Sequence, residues 1–399
     1  MTIDNVIVRT WRPWRLSVDR LGPFRESIER ITFKDAAGTP ANMYMLAAGN
    51  GRGKTTLLES LYFAMRMLAP DFPSPADLRS DIVVESDGRL QLDLLLELES
   101  GAITKRVLLS LSWGDVGSSG MGGWSRSPLE EGMADCWLRF GWSRSTASDQ
   151  LGASPAELPL PGAEPLHGWS HPKDADAWLA GLLQSIRREV SSPWTGFNQE
   201  VVQAPTALYF TVARDIVHGE KQDYLLGRPS TPRYAPAHRF GREGDSWFAS
   251  LDNLLVWLFW IDPAEYTAAK AFINEVVFQK DDAKYIRDQP AKDPPRIMVS
   301  NHGSLHSIDR LSSGEKNIVQ FALRFGAHRT INTMVLIDEL ELHLHPEFQR
   351  KLMQLLKEAA SASRSLTVIF TTHSLEVMRE FRFEDEESHL KKGGELLLP

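Results

Sequence analysis

The spacing of apolar residues changes several times along the chain, and each change marks an element. Residues 5–9 (NVIVR) and 41–47 (ANMYMLA) have the short apolar pattern of strands, with RLGPFRESIERITF between them as a bend and a further strand. TTLLESLYFAMRML, 55 to 68, then sets Leu57, Leu58, Leu61, Met65 and Leu68 at helical spacing. RLQLDLLLELESGAITKRVLLSLSW returns to alternation as two strands about the turn Ser100-Gly101. The opening therefore predicts strand, glycine loop, helix and antiparallel hairpin.

From 114 to 205 the texture changes to Gly, Ser and Pro. With Trp113 counted in, this stretch holds seven of the twelve tryptophans: Trp113, Trp124, Trp137, Trp142, Trp169, Trp178 and Trp194. Its one clear amphipathic helix is DADAWLAGLLQSIRREV. Large aromatics bury readily, so the tryptophans read as the core of an inserted subdomain; a stacking platform for nucleic acid is the alternative. Neither internal repeats nor sustained heptads are seen, which argues against a long coiled coil.

ALYFTVAR (207–214) is a buried strand, followed by helices in GREGDSWFASLDNLLVWLFW and PAEYTAAKAFINEVVFQ, broken at Asp262-Pro263. The last quarter alternates: PRIMVS strand, helix 313–328, TMVLID strand, helix 346–360, LTVIF strand. Such alternation predicts a parallel α/β sheet with phosphate-binding loops at the strand ends. FEDEESHLKK reads as a solvated acidic end.

Composition narrows the class. At 399 residues, with 42% hydrophobic, the chain can build a full core. A net charge of −8 gives no global basic field for nonspecific DNA binding, although a local basic groove would still permit contact with nucleic acid. The single cysteine, Cys136, leaves no disulfide framework within the chain, in keeping with a cytoplasmic setting. The first residues lack a secretory pattern. LLVWLFWI (254–261) is far shorter than the roughly 20 apolar residues of a membrane span, and reads as a buried helix.

Four stretches carry candidate chemistry. In AAGNGRGKTT (47–56) the N–H groups of Asn50, Gly51, Gly53 and Lys54 can wrap an anion at a helix N-terminus. Lys54 would reach the β- and γ-phosphates and Thr55 would bind Mg²⁺; a plain glycine-rich turn is the other reading. In TMVLIDE a buried strand ends in Asp338 and Glu339, a costly pair unless a cation compensates. Mg²⁺ on Asp338 would do so, leaving Glu339 as a general base. LSSGEKN (311–317) carries Ser312 or Ser313 as N-cap and Glu315 in the first turn, and such a terminus can also meet a phosphate from another molecule. LTVIFTTHS delivers Thr371, Thr372 and His373 to a strand end. His343 and His345, in the loop after Glu339, lack a third ligand for zinc.

AGNGRGKTT, LSSGEKN, VLIDELELHLHP and IFTTHS, in that order, resemble the Walker A, signature, Walker B with D-loop, and H-loop of ABC-type ATPases, in the SMC/RecF/OLD branch and its stand-alone AAA-like members from bacterial defence systems. LGPFRESIERITF resembles the GPF edge of that branch. The resemblance covers about 1–110 and 205–380. It implies an α/β P-loop NTPase with an ABC-type head and a mixed sheet: an N-terminal lobe (1–113), a globular insertion (114–205) and a C-terminal lobe (206–399).

It also implies ATP and Mg²⁺ as ligands. Asn50, Gly51, Arg52, Gly53, Lys54, Thr55 and Thr56 would contact nucleotide, with Thr55 and Asp338 on the metal, and Lys54, Glu339 and His373 would be catalytic. Ser312, Ser313, Gly314 and Glu315 of a second copy would close over the γ-phosphate, making a homodimer through ATP. Glu315 stands where many transporters carry glutamine, and Ala48 where the loop usually has glycine. Gln199 and Gln203 are candidates for the lid glutamine. The short stretch after His373 leaves no room for the nuclease domain of OLD proteins, so an effector (nuclease or toxin) is expected as a partner, with no membrane. The alternatives are a RecF-type DNA clamp and an ATP-gated scaffold with negligible turnover.

Overall fold

Strand alternation sets the architecture, because successive residues of the central strands send their side chains into two different cores. A computed structural model describes residues 5–49, 51–70, 72, 88–114, 132–142, 175–192, 202–216, 234–243, 250–278, 283–292, 295–382 and 389–396. The elements begin β1 (Ile7–Asp19), β2 (Glu29–Thr32), β3 (Met43–Ala47), α1 (Lys54–Arg66), β4 (Arg89–Ser100) and β5 (Ile103–Trp113). They continue β6 (Cys136–Trp142), α2 (Ala175–Ser191), β7 (Thr206–Ile216), β8 (Ala237–Glu243), α3 (Leu251–Ile261) and α4 (Pro263–Val276). Short strands β9 (Lys284–Ile286), β10 (Ala291–Lys292), β11 (Pro295–Arg296), β12 (Met298–Asn301) and β13 (Ser304–Ser307) lead to α5 (Ser313–His328). β14 (Thr333–Ile337), α6 (Pro346–Ala362), β15 (Thr367–Thr372), α7 (Leu375–Arg382) and β16 (Lys392–Leu396) complete the order.

The main sheet runs β16-β3-β15-β14-β7-β8, with every described pairing parallel. Tyr44, Leu46, Tyr209, Met334, Leu336 and Ile369 face a core shared with α1 and the second sheet. Their sequence neighbours Met43, Met45, Leu208, Phe210, Val335, Ile337, Val368 and Phe370 face a core shared with α3 to α7. Both faces of a parallel sheet are thus covered, as the continuous apolar runs in its strands require. The second sheet, β2-β1-β4-β5-β6, is antiparallel except at β5–β6.

The helix boundaries have local causes. Asp262 caps α4 by accepting from the Glu265 N–H, and Pro263 sits in the first turn, which ends α3 where the sequence places the break. Within 114–205, β6 extends the second sheet and α2 packs against one face of it, burying Trp178; Trp137 is buried in a small cluster with Leu108 and Ala134, and Trp113 is buried as well. Trp124, Trp169 and Trp194 lie outside the described residues, as does the Trp142 side chain.

Of the expected solvated end FEDEESHLKK (383–392), 383–388 lie outside the described residues; beyond them the Lys391 N–H donates to Asn42 Oδ1 and Lys392 opens β16, an edge strand beside β3. Two expectations are corrected. Residues 241–243, expected to open a helix, instead end β8 (Ala237–Glu243), because that strand pairs in parallel with β7. The apolar helix α3 is buried over most of its length, but Trp260 and Ile261 at its end are 58% and 62% exposed. Among the described residues no helix is long and apolar enough to cross a membrane.

Candidate nucleotide site

Parallel strands put their C-terminal ends on one edge, so β3, β14 and β15 deliver their following loops to the same place. After β3 the chain turns through Gly51 and Gly53, both left-handed at φ 74° and 85°, and enters α1. A Cβ on Gly53 would lie 2.4 Å from Phe24 Cζ and 2.8 Å from Pro23 Cγ. One on Gly22 would lie 2.7 Å from Thr56 Oγ1. The LGPF segment therefore lies directly on the glycine loop and the first turn of α1. Gly53 supplies no side-chain cap, and the first turn of α1 holds no acidic residue. Its N–H groups and positive end are left for an external anion. Lys54 is buried and spends its ammonium on the loop itself, donating to the carbonyls of Ala48 (2.7 Å) and Gly49 (3.0 Å). Arg52 lies exposed within the loop and Thr56 is buried beneath it, while Asn50 lies outside the described residues.

The centre of the site is Asp338, wholly buried at the end of β14. Thr55 Oγ1 donates to its Oδ2 and Thr371 Oγ1 to its Oδ1, both at 2.7 Å. One carboxylate thereby ties α1 to β15. Glu339, half-buried, adopts φ 49°, an uncommon conformation for a residue with a side chain. That turn lets its N–H donate to Thr371 Oγ1 at 2.7 Å. Arg214 completes the cluster from β7, donating to the carbonyls of Asp338 (2.7 Å) and Glu339 (2.8 Å). Burial pulls its guanidinium down to about 10, against the pull of Asp338, Glu341 and Glu339. His373 is half-exposed just past β15, where Glu341 Oε1 accepts from its backbone N–H (2.6 Å) and meets Nδ1 at 2.8 Å.

The serine-led helix is built differently. Ser312 Oγ accepts from the Glu315 N–H, and Glu315 Oε2 accepts from the Ser312 N–H at 3.1 Å, a complete capping box. Lys284 Nζ donates to Glu315 Oε1 at 2.5 Å. Burial opposes ionisation of Glu315, but the bonds from Lys284 and Ser312 outweigh it and hold its carboxyl below the usual range. Ser312 and Ser313 are exposed, and Gly314 is buried with its Cβ direction 3.3 Å from the His343 carbonyl oxygen. Asn317 Nδ2 donates to the Leu342 carbonyl at 3.1 Å. This helix tip thus packs on its own chain's loop after Glu339.

Residues 232–379 match the model of the family described as "AAA domain, putative AbiEii toxin, Type IV TA system". That span takes in the serine-led helix, Asp338-Glu339 and His373. The chain is an α/β fold whose parallel sheet delivers the glycine loop and the Asp338-Glu339 pair to one edge. Solved structures similar to this chain include an SMC head domain from Thermotoga maritima (12% identity, 92% of each chain covered, TM-score 0.34). An Smc head domain with an extended coiled coil, bound to the C-terminal domain of ScpA, from Pyrococcus furiosus is 13% identical over 93% of this chain and 92% of that one, at a TM-score of 0.38. A dimeric ATP-binding cassette in a post-hydrolysis state with ADP and Pi is 13% identical over 93% and 91%, at 0.31. Overlays this loose carry no weight beside the local geometry of the site. No curated protein matches the sequence.

Two members of the candidate site escape the motif reading, Arg214 and Glu341. A lone cation at the end of the buried run ALYFTVAR needs acceptors, and that was the available signal for Arg214. Nothing in the sequence singles Glu341 out from the other acids nearby. Of the lid candidates, Gln199 lies outside the described residues. Gln203 precedes β7, where its carbonyl accepts from Asn332 at the N-terminal edge of the sheet, opposite the glycine loop. It is not placed to reach the nucleotide loop.

Proposed function

We propose that the chain binds ATP at the glycine loop and hydrolyses it, and that two copies close on the nucleotide to control an effector. The observation that carries this reading is the convergence of Thr55 and Thr371 on Asp338, beside the left-handed Glu339. The triphosphate would take the open N–H groups at the start of α1. Lys54 would turn from the Ala48 and Gly49 carbonyls to its β- and γ-oxygens.

The residues fit a divalent cation: a hydroxyl and a carboxylate already meet at Thr55 and Asp338. Mg²⁺ held there would offset charge on the phosphate oxygens. Glu339 takes the proton of a water whose oxygen bonds to the γ-phosphorus. The bond from that phosphorus to the bridging oxygen breaks, and ADP leaves with the electron pair. Arg214 holds the backbone of both carboxylate residues, and Glu341 orients His373 towards the same edge. Ser312, Ser313, Gly314 and Glu315 of a second copy would cover the γ-phosphate, so ATP completes an interface that hydrolysis weakens.

A nuclease or toxin as partner, and a role in anti-phage defence, form the outer layer of the proposal. Support comes from the toxin description attached to the matched family. Glu339→Gln tests the core of the reading. It is expected to bind ATP, to release phosphate at least about 100-fold more slowly and to accumulate as a dimer in light scattering. Full turnover by this variant would remove Glu339 from the mechanism.

A further inference from the structure

The α5 tip carries a carboxylate where the proposed closure of two copies brings a triphosphate, and the role of its lysine partner rests on that closure. Ser312 Oγ donates to Glu315 Oε2 at 2.9 Å and accepts from the Glu315 N–H at 3.3 Å. The serine hydroxyl and the glutamate therefore form one unit, and whatever Ser312 approaches, Glu315 approaches too. An uncompensated carboxylate meeting phosphate oxygens would repel them. A glutamine would give the same cap without the charge.

The chain supplies compensation from outside the helix. Lys284 opens β9, and β9 joins β12 and β13 in a small antiparallel sheet. Its Nζ is 2.5 Å from Glu315 Oε1, the oxygen Ser312 does not use. The same ammonium stands 5.4 Å from the centre of the Phe278 ring, which adds a second attraction. Both side chains are mostly covered, at 21% and 11% exposure, so solvent screens the pair less than it would on an open surface.

We infer that Lys284 is a positioning residue of the serine-led helix: it neutralises Glu315 so that the Ser312–Gly314 tip can meet a nucleotide's γ-phosphate. As the tip closes, the Ser312 hydroxyl leaves Glu315 Oε2 for a phosphate oxygen, and Glu315 stays on Lys284. No proton changes hands. The small β9-β12-β13 sheet thereby becomes part of the machinery, since moving β9 would unmask the carboxylate and weaken closure. An effector that displaced this sheet would have direct control of the ATP-bound state.

The test is a double-substitution cycle in the full chain carrying Glu339→Gln, with the ATP concentration for half-maximal dimer formation read by light scattering. Lys284→Met is expected to raise that midpoint about tenfold, and Lys284→Arg to restore it. Glu315→Gln, which keeps the cap without the charge, sets its own midpoint, and adding Lys284→Met to it is expected to leave that midpoint within about twofold. A silent Lys284→Met overturns the inference. So does an equal loss with and without the charge on Glu315, which is what lost packing against Phe278 would give. A parent that binds fluorescent ATP yet stays monomeric overturns the two-copy closure, and the inference falls with it; the two failures are thus told apart.

Discussion

Two helix N-termini in this molecule are read as phosphate sites, and they are finished in opposite ways. α1 starts at a glycine, with no side-chain cap and no acid in its first turn. α5 starts at a serine with a closed capping box. The first leaves its N–H donors open and gains a buried lysine; the second ties the Ser312 and Glu315 N–H groups into its own cap and exposes its two serines. An open terminus costs stability until a ligand arrives, whereas a capped one is stable alone and offers only its serine hydroxyl. The contrast fits a primary site on α1 and a conditional one on α5, matching the order of events in the proposed cycle.

The comparison can be broken most severely at Lys54. Lys54→Ala is expected to weaken ATP binding by about 100-fold or more in a fluorescent-nucleotide titration, as the loop loses its one buried cation. Near-normal affinity would show that the open N–H groups suffice. Next comes Gly53→Ala, which forces a side chain into a left-handed conformation and against Phe24. A loss of about 1–3 kcal/mol in urea unfolding is expected, with nucleotide affinity falling too.

At the other terminus, Ser312→Ala should cost about 1 kcal/mol of stability by removing the cap, and leave ATP binding to the single copy unchanged. A fall in that affinity would place α5 within its own chain's nucleotide site. The smallest effect is with pH. The Glu315 carboxyl is held below its ordinary 4.5, so its contribution is full above that value and is lost as pH falls through the lower folded value. Unfolding free energies of the parent and Glu315→Gln should differ by a constant amount above about pH 5 and converge below it, as the parent loses the contribution the glutamine never had.

Elements with a strong period were legible in the sequence. The helix after the glycine loop, the Ser100-Gly101 hairpin, the Asp262-Pro263 break and the strand into Asp338 all appear with bounds shifted by a few residues. β16 was not legible, because KGGEL has no alternation and a single apolar residue, Leu396; it is a strand because β3 offers it an edge. β8 (AHRFGRE) hid for a similar reason, as a polar strand supported by β7. The site divides along the same line. Lys54, Thr55, Asp338 and Glu339 could be named because their spacing carries chemistry. Arg214 acts through two backbone carbonyls, Lys284 reaches Glu315 from a separate small sheet, and no linear pattern records either contact.

β3, which leads into the nucleotide loop, lies between β15 and β16, both drawn from the far end of the chain. During synthesis this strand emerges early and must wait for more than three hundred further residues before either neighbour exists. Contacts so distant in sequence make folding slow. A ribosome-bound fragment stopped before residue 366 would hold the whole glycine loop with neither flanking strand in place, and so lack the fixed geometry a triphosphate needs. The loop after β3 therefore gains its flanking support only once residues 367–372 have been made.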